Sequence, residues 1–233
     1  MKVVDNHPEK WKTYCLTFCA YLALHTMRMT YSEIKPYFQT TYKISNLMLG
    51  ILDASTYMAL AIGFGLRFLI SSRKIMLREY FLFTAIAILG FLIIPVTSLV
   101  EGSLVTSNVF TQSILPITGL IVFGFFQFAA WPSLLTITNQ YFDLKKEGAM
   151  MGFWASNSSI GNIVGFALTG LIVDVLQLGW QTAMIVVACL QLILAFEVYF
   201  VVTENPFQEE NSLVDDEFQS QENPEEEGSV SNY

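Results

Sequence analysis

Residues 148–172 read GAMMGFWASNSSIGNIVGFALTGLI, and these 25 consecutive residues include no Asp, Glu, Lys or Arg. A helix needs about 20 residues to cross the hydrocarbon core of a bilayer, which is roughly 30 Å thick. The stretch is therefore long and apolar enough to be a transmembrane helix, and it sets the fold class for the residues around it.

Five further stretches have the same character, and the overall composition agrees with them. Hydrophobic residues make up 53% of the 233 residues and charged residues only 14%, against about 25% charged in a typical soluble domain. We therefore predict an all-α membrane protein with six transmembrane helices. The predicted spans are residues 11–30, 46–66, 79–100, 114–138, 148–176 and 182–202.

Composition divides the chain into three parts. Residues 1–10 form a short polar segment, residues 11–203 the six-helix bundle, and residues 204–233 an acidic tail. The tail holds ten of the 20 acids and none of the 12 Lys and Arg residues, so the rest of the chain has a formal charge of +2. The tail is interpreted either as a solvated disordered segment or as a docking segment anchored by Phe207 and Phe218.

Basic residues predict the orientation in the membrane. They concentrate in the loops after the second and fourth spans, whereas the opposite loops are expected to carry only Lys35 and Lys43 with Glu33, then Glu101, then Asp174. The positive-inside rule then places both termini on the cytoplasmic side. An organelle membrane is the expected location, either the endoplasmic reticulum or the mitochondrial inner membrane. The bases of the two loops are Arg67, Arg73, Lys74, Arg78, Lys145 and Lys146.

Charged residues inside the predicted spans are the candidate binding residues, because charges in lipid usually face a cavity or a partner. Spacings of four and three residues place Tyr21, His25 and Arg28 on one helical face. A guanidinium suits a phosphate group, so this face is a candidate phosphate site. The alternative is that Arg28 reaches the lipid headgroups. Asp53 is the second candidate; alternatively it makes an interhelical hydrogen bond or lies near water at the end of its helix.

Small residues recur along the fifth predicted span. Gly161 and Gly165 form a Gly-xxx-Gly step, which lets two helix backbones approach closely, so close packing is the first interpretation. Gly50 and Gly63 are 13 residues apart, and Gly152 and Gly165 repeat that spacing 102 positions later. This offset equates the second helix with the fifth, as a repeat of two three-helix units requires.

Polar and aromatic residues add further candidates for a cavity wall. Asn157 and Asn162 in the fifth span could line a polar cavity. Trp131 and Pro132 predict a kinked fourth helix with an aromatic wall, which is structural unless a cavity adjoins it. Three cysteines are interpreted as buried structural thiols, namely Cys15, Cys19 and Cys189.

Enzyme signatures are absent from the sequence. There is no phosphate-binding glycine loop, paired metal-ligand motif or nucleophile elbow, and the only histidines are His7 and His25. We therefore expect a protein that is not an enzyme, needs no cofactor or metal, and does not bind nucleic acid.

Four segments resemble a known family of transporters. They read HTMRMTYSEIKPYF at 25–38, LGILDASTYMALAIGFG at 49–65, AWPSLLTITNQYF at 130–142 and GAMMGFWASNSSIGNIVGFALTGLI at 148–172. Their order is similar to that in the sugar-phosphate exchangers of the major facilitator superfamily, which transport glucose-6-phosphate or glycerol-3-phosphate. The resemblance covers residues 11–206 and corresponds to the amino-terminal half of such an exchanger.

This resemblance implies an antiporter that exchanges an organic phosphate for inorganic phosphate by alternating access. The substrate-binding arginine of the family corresponds to Arg28. Two positions depart from the family: Met29 replaces a basic residue, and GLRFLISSRKI at 65–75 lacks the acidic residue of a gating motif. The family also has twelve helices, with a second phosphate-binding arginine in the half that is missing here.

Three interpretations of a half-length chain remain open. The chain is a fragment or split half of a transporter, or it pairs with itself or with a separate second half, or it is a structural subunit of a larger membrane complex that has lost transport. The expected partners are the lipid bilayer in every case, and organic phosphate and inorganic phosphate where transport is retained.

Overall fold

The computed structural model describes residues 9–42, 44–70, 76–103, 114–142 and 148–202, and every regular element in them is helical. The acidic tail at 204–233, with the proposed anchors Phe207 and Phe218, lies outside the described residues. The helices are α1 (Lys10–Tyr42), α2 (Asn46–Ile70), α3 (Met76–Ser103), α4 (Leu115–Phe126), α5 (Ala130–Gln140), α6 (Gly148–Ala155), α7 (Asn157–Gly170) and α8 (Trp180–Val201).

Five stretches of the described residues are long and apolar enough to cross a membrane. They coincide with the second to sixth predicted spans to within a few residues. The first predicted span, 11–30, is also helical, but α1 is too polar to be counted with the others, so its crossing of the membrane stays a prediction. The five stretches are Asn46–Arg67, Leu77–Leu99, Leu115–Gln140, Gly148–Val175 and Trp180–Val201.

Helix α1 is longer than predicted. Its 33 residues extend about 50 Å at 1.5 Å per residue, and the helix continues through Pro36. The prediction that Lys35 belongs to a loop is therefore wrong. Packing explains the extra turns, because Ile34 is fully buried and Tyr31 is only 7% exposed.

The fourth and fifth spans are each interrupted, the fourth as the sequence predicted. A 3-10 turn at Gln127–Ala129 separates α4 from α5. Pro132 accounts for it, because a proline has no N–H to donate and its ring collides with the carbonyl four residues earlier, here that of Phe128. A turn at Ser156 separates α6 from α7, and a π-helical turn follows at Leu171–Val175.

The packing of the helices agrees with two three-helix repeats. α1 packs on α7 and α8, α2 packs on α4, and α3 packs on α4 and α8. Here α4 belongs to the fourth span, α7 to the fifth and α8 to the sixth. If the first span is exchanged with the fourth, the second with the fifth and the third with the sixth, the same set of contacts results. The glycines follow the same exchange, since a Cβ at Gly63 would lie 2.7 Å from the Phe125 carbonyl of α4, and one at Gly165 would lie 2.8 Å from the Thr26 carbonyl of α1.

Gly161, the other glycine of the predicted Gly-xxx-Gly step, also lies where two helices approach closely. A Cβ at Gly161 would collide with the carbonyl of Leu22 on α1. Thr26 donates to the carbonyl of Gly161 at 3.1 Å, and Thr169 donates to Thr30 at 3.0 Å. The interpretation of the fifth span as a packing helix is therefore confirmed.

The outer surface of the bundle is apolar, as lipid contact requires. Among its large exposed side chains are Leu47, Met58, Leu89, Phe153, Ile163 and Phe200. The expectation that the cysteines are buried is wrong, because Cys15, Cys19 and Cys189 are all exposed. In a membrane protein, an apolar residue needs no burial in protein, because the bilayer itself excludes water.

Candidate functional site

A polar cleft lies between α1, α2 and the interrupted fourth span. Its free volume of about 30 Å³ suits one or two water molecules. The cleft brings together Arg28 and Asp53, two of the residues that the sequence singled out. Its lining is Arg28, Tyr31, Ser32, Lys35, Asp53, Thr56, Tyr57, Leu60, Phe123, Gly124 and Gln127.

The Arg28 side chain is held by a neutral partner. Its Nε donates a short hydrogen bond to Oε1 of Gln127, at the start of the 3-10 turn. Gln127 is itself fixed, because its Nε2 donates to the carbonyl of Phe123 at 3.0 Å. Among the described residues, no carboxylate forms an ion pair with Arg28, whereas Lys35 pairs with Asp53 and Arg67 with Glu79.

Asp53 lies on α2 and binds a lysine of α1. Lys35 Nζ is 2.8 Å from Asp53 Oδ2, and the side chains are 23% and 32% exposed. The ammonium of Lys35 also lies 5.2 Å from the centre of the Tyr31 ring. Asp53 therefore makes the interhelical contact that the sequence analysis gave as its alternative role. Both partners of this contact line the cleft.

Tyr21 and His25 share a face of α1 as predicted, but they do not line the cleft. The two rings lie 5.0 Å apart, and Tyr21 is also 4.9 Å from Trp131, the residue predicted to form an aromatic wall. Trp154 completes the group at 5.3 Å from Trp131 and donates from Nε1 to Thr17 at 3.1 Å. This aromatic cluster of Tyr21, His25, Trp131 and Trp154 begins one helical turn from Arg28.

The two asparagines of the fifth span have different surroundings. Asn157 is fully buried, and neither its Nδ2 nor its Oδ1 has a hydrogen-bond partner among the described residues. Asn162 is exposed and lies beside His25, whose buried Nε2 has no such partner either. Neither asparagine lines the cleft that holds Arg28.

Several residues of the cleft were not predicted. Lys35 is seven residues after Arg28, and this spacing returns a side chain to the same helical face. Gln127 is a polar residue in the middle of an apolar segment, FGFFQFAAW. Both signals were present in the sequence, but Lys35 was assigned to a loop. The hydroxyl-bearing residues Tyr31 and Tyr57 gave no comparable signal.

A second interhelical ion pair, Arg67–Glu79, joins the end of α2 to the start of α3. Arg67 ends the second span, and its Nη1 binds Oε2 of Glu79 in the first turn of α3. Both side chains are partly buried. A carboxylate from α3 thus contacts an arginine in the last turn of α2, whereas Asp53 and its partner Lys35 lie near the start of α2.

Comparisons with known proteins find that the chain is similar to proteins described as transporters and exchangers. The sugar phosphate exchanger 3 proteins of Xenopus laevis and Homo sapiens are 25% and 26% identical over 220 and 218 residues, which cover 83% of this chain and 42% of each relative. The putative glycerol-3-phosphate transporter 3 of Arabidopsis thaliana is 36% identical over 84 residues, which is 36% of this chain and 16% of that protein.

The chain spans less than half the length of these relatives, and the match falls in their amino-terminal half. No solved structure matches it. A family profile of the Major Facilitator Superfamily matches residues 17–224, nearly the whole chain. Because this match covers most of the chain, the chain belongs to the Major Facilitator Superfamily.

Proposed function

We propose that this chain provides a phosphate-binding half-site in a transporter that exchanges an organic phosphate for inorganic phosphate. The observation that carries the proposal is Arg28, a cation that lies in an interhelical cleft and is bound there by the neutral Gln127. An arginine in that setting retains its positive charge for an anion. Relatives described as sugar phosphate exchangers and glycerol-3-phosphate transporters supply the substrate class.

The chemistry of the guanidinium favours a phosphate over other anions. Its planar set of N–H donors binds two phosphate oxygens at once, and its hydrogen bonds to a charged acceptor are stronger than those to Gln127. His25 and Tyr21 lie one and two turns before it on the same face, and we expect them to contact the organic part of the substrate. Only a rearrangement of the aromatic cluster would bring them into the cleft.

A complete substrate site requires a second set of helices. The cleft has a free volume of about 30 Å³, which is far smaller than the pocket of a few hundred Å³ that a small organic ligand fills. A dianion also needs more than one cation to replace its water. We therefore expect a second set of helices to supply the other wall, with the substrate held between the two sets and released by alternating access.

Transport is favoured over the structural-subunit alternative. The similar proteins are described as transporters and exchangers. The charged residues of the cleft are also costly in a membrane, and a subunit with a purely structural role would have no need of a cation without an acidic partner.

The test is a conservative substitution of Arg28. In Arg28→Lys the charge is kept and the two-pronged donor is lost, so we expect inorganic phosphate and glycerol-3-phosphate to bind about tenfold more weakly. Binding is measured by calorimetry on the full chain purified in lipid nanodiscs, and exchange by phosphate counterflow in proteoliposomes.

Arg78→Lys is the matched control, because Arg78 is exposed at the start of α3, away from the cleft, and undergoes the same chemical change. Its affinity for phosphate should equal that of the wild type. Equal affinity of Arg28→Lys and Arg78→Lys would contradict the proposal. It would favour the alternative interpretation, in which Arg28 serves the lipid headgroups and not a substrate.

A further inference from the structure

We infer that Lys35 is a second phosphate-binding cation and that Asp53 holds it in place while the cleft is empty. The inference rests on the proposed function and adds a residue and an exchange of partners to it. When phosphate binds, one of its oxygens replaces the Asp53 carboxylate on Lys35 Nζ, while another oxygen binds Arg28.

The positions of the two cations support this exchange. Lys35 and Arg28 are two helical turns apart on one face of α1, and both line the same cleft. Their Cα atoms are separated by about 10 Å along the helix, a distance that two long side chains can close around one phosphate group. Lys35 also has three freely rotating donors, so it can change partners without moving its helix.

The Lys35–Asp53 pair has the properties of a contact that can open. Both side chains are partly exposed, at 23% and 32%. Ion pairs that water can reach are weak, because the solvent screens them and holding two flexible side chains costs entropy. A phosphate that carries up to two negative charges is a stronger partner for an ammonium than a single carboxylate is.

The charge of the cleft predicts whether removal of Asp53 raises or lowers the affinity for phosphate. Arg28 and Lys35 contribute two positive charges and Asp53 one negative charge, so the cleft has a formal charge of +1. Asp53 thus competes with phosphate for Lys35. A carboxylate that merely braced α1 against α2 would have the opposite consequence, since its removal would loosen the cleft and weaken binding.

The experiment measures the dissociation constant of inorganic phosphate for the full chain in nanodiscs. Asp53→Asn removes the competing charge and should tighten binding three- to tenfold. Lys35→Gln should weaken binding about tenfold, and the double variant should resemble Lys35→Gln, because without the ammonium there is nothing for Asp53 to mask. Weaker binding in Asp53→Asn would overturn the inference in favour of a structural brace.

Glu79→Gln is the matched control, because it breaks a second interhelical ion pair, Arg67–Glu79, which lies outside the cleft. Its phosphate affinity should equal that of the wild type. Thermal unfolding of each variant shows whether an altered affinity follows from misfolding. If Asp53→Asn does not fold, Lys35→Arg must keep the wild-type affinity within threefold while Lys35→Gln loses it, and equal affinities of these two would overturn the inference.

The outcomes separate this inference from the proposed function. If Arg28→Lys weakens phosphate binding and Asp53→Asn fails to strengthen it, the proposed function stands and the exchange of partners on Lys35 is rejected. If the wild-type chain binds no phosphate in the nanodiscs, both are rejected.

Discussion

Single glycines determine how closely α7 approaches α1. A Cβ at Gly165 would lie 2.7 Å from Cβ of Met29 and 2.8 Å from the carbonyl of Thr26. Carbon atoms pack at about 3.5–4.0 Å, so an added methyl group has no room there. The nearest atoms are backbone and Cβ atoms, which cannot rotate away, and so the helices themselves must separate.

Gly165→Ala should therefore lower the free energy of unfolding by about 1–3 kcal/mol. Gly152→Ala is the control, because no atom lies within 4 Å of a Cβ at that position of α6. Alanine there should be neutral or stabilise by up to about 1 kcal/mol through its higher helix propensity. The two variants are compared by thermal unfolding in the same detergent, and equal midpoints would contradict the packing described for α1 and α7.

A buried hydroxyl network links three helices beside the aromatic cluster. Thr17 receives the indole N–H of Trp154 at 3.1 Å and shares a hydrogen bond with Thr138 at 2.8 Å. Thr17→Val keeps the shape of the side chain but leaves the indole N–H without a partner. We expect a loss of about 1–2 kcal/mol in the free energy of unfolding.

Thr136→Val serves as the comparison for Thr17→Val. Thr136 is exposed, and its hydroxyl donates to the carbonyl of Pro132 on its own helix. The free energy of unfolding should change by less than about 0.5 kcal/mol, as for most surface substitutions. A similar loss in both variants would show that the network around Thr17 adds no stability.

Individual site residues were only partly predictable. Arg28 and Asp53 were identified because charges are rare and costly in lipid, and that rule needs no tertiary information. Gln127 was missed because its role depends on which face of the fourth span turns toward α1. Lys35 was missed because the first span was predicted to end at residue 30, which placed Lys35 in the following loop.

At the scale of helices, the interruption of the fourth span positions the partner of Arg28. Gln127 stands at the start of the 3-10 turn that Pro132 imposes. Pro132→Ala restores the missing N–H, so α4 and α5 can join into one regular helix. The orientation of Gln127 would then change, and we expect phosphate to bind several-fold more weakly with no loss of thermal stability.

Pro116→Ala is the corresponding control for Pro132→Ala. Pro116 lies in the first turn of α4, where a backbone N–H has no partner within the helix anyway. Its replacement leaves the course of the helix unchanged, and so the phosphate affinity should match that of the wild type. Unchanged affinity in Pro132→Ala as well would separate the interruption from the function of the cleft.

Helix positions were predictable where the bilayer dictates length. The second to sixth spans were placed to within a few residues, because about 20 apolar residues in a row have few other uses. The kink near Pro132 also followed from the sequence. The turn at Ser156, the π-helical turn at Leu171–Val175 and the extension of α1 to Tyr42 did not, since they depend on packing between helices.

At the scale of the whole molecule, the orientation in the membrane is the property that a reporter can test. We expect position 101 and the chain after residue 204 to lie on opposite sides, with the latter in the cytoplasm. Single cysteines at the two places are labelled with an impermeant maleimide in sealed vesicles.

The labelling requires a background in which the native cysteines, all three of them exposed, are replaced by alanine. Labelling from opposite sides would agree with an odd number of spans between the two positions. Labelling of both positions from the same side would contradict the six-span bundle and with it the half-transporter arrangement.

The polarity of α1 has a consequence for how the protein is made. Helix α1 precedes the other described helices along the chain. Each of the other five predicted spans is apolar enough to cross a membrane, whereas α1 is too polar to be counted with them. Its main packing partners, α7 and α8, are synthesised only after α2 to α6. A nascent chain that ends at residue 142 would leave α1 without them, and we expect it to be retained by the insertion machinery or degraded, whereas a chain extended to residue 202 should be stable in pulse-chase labelling.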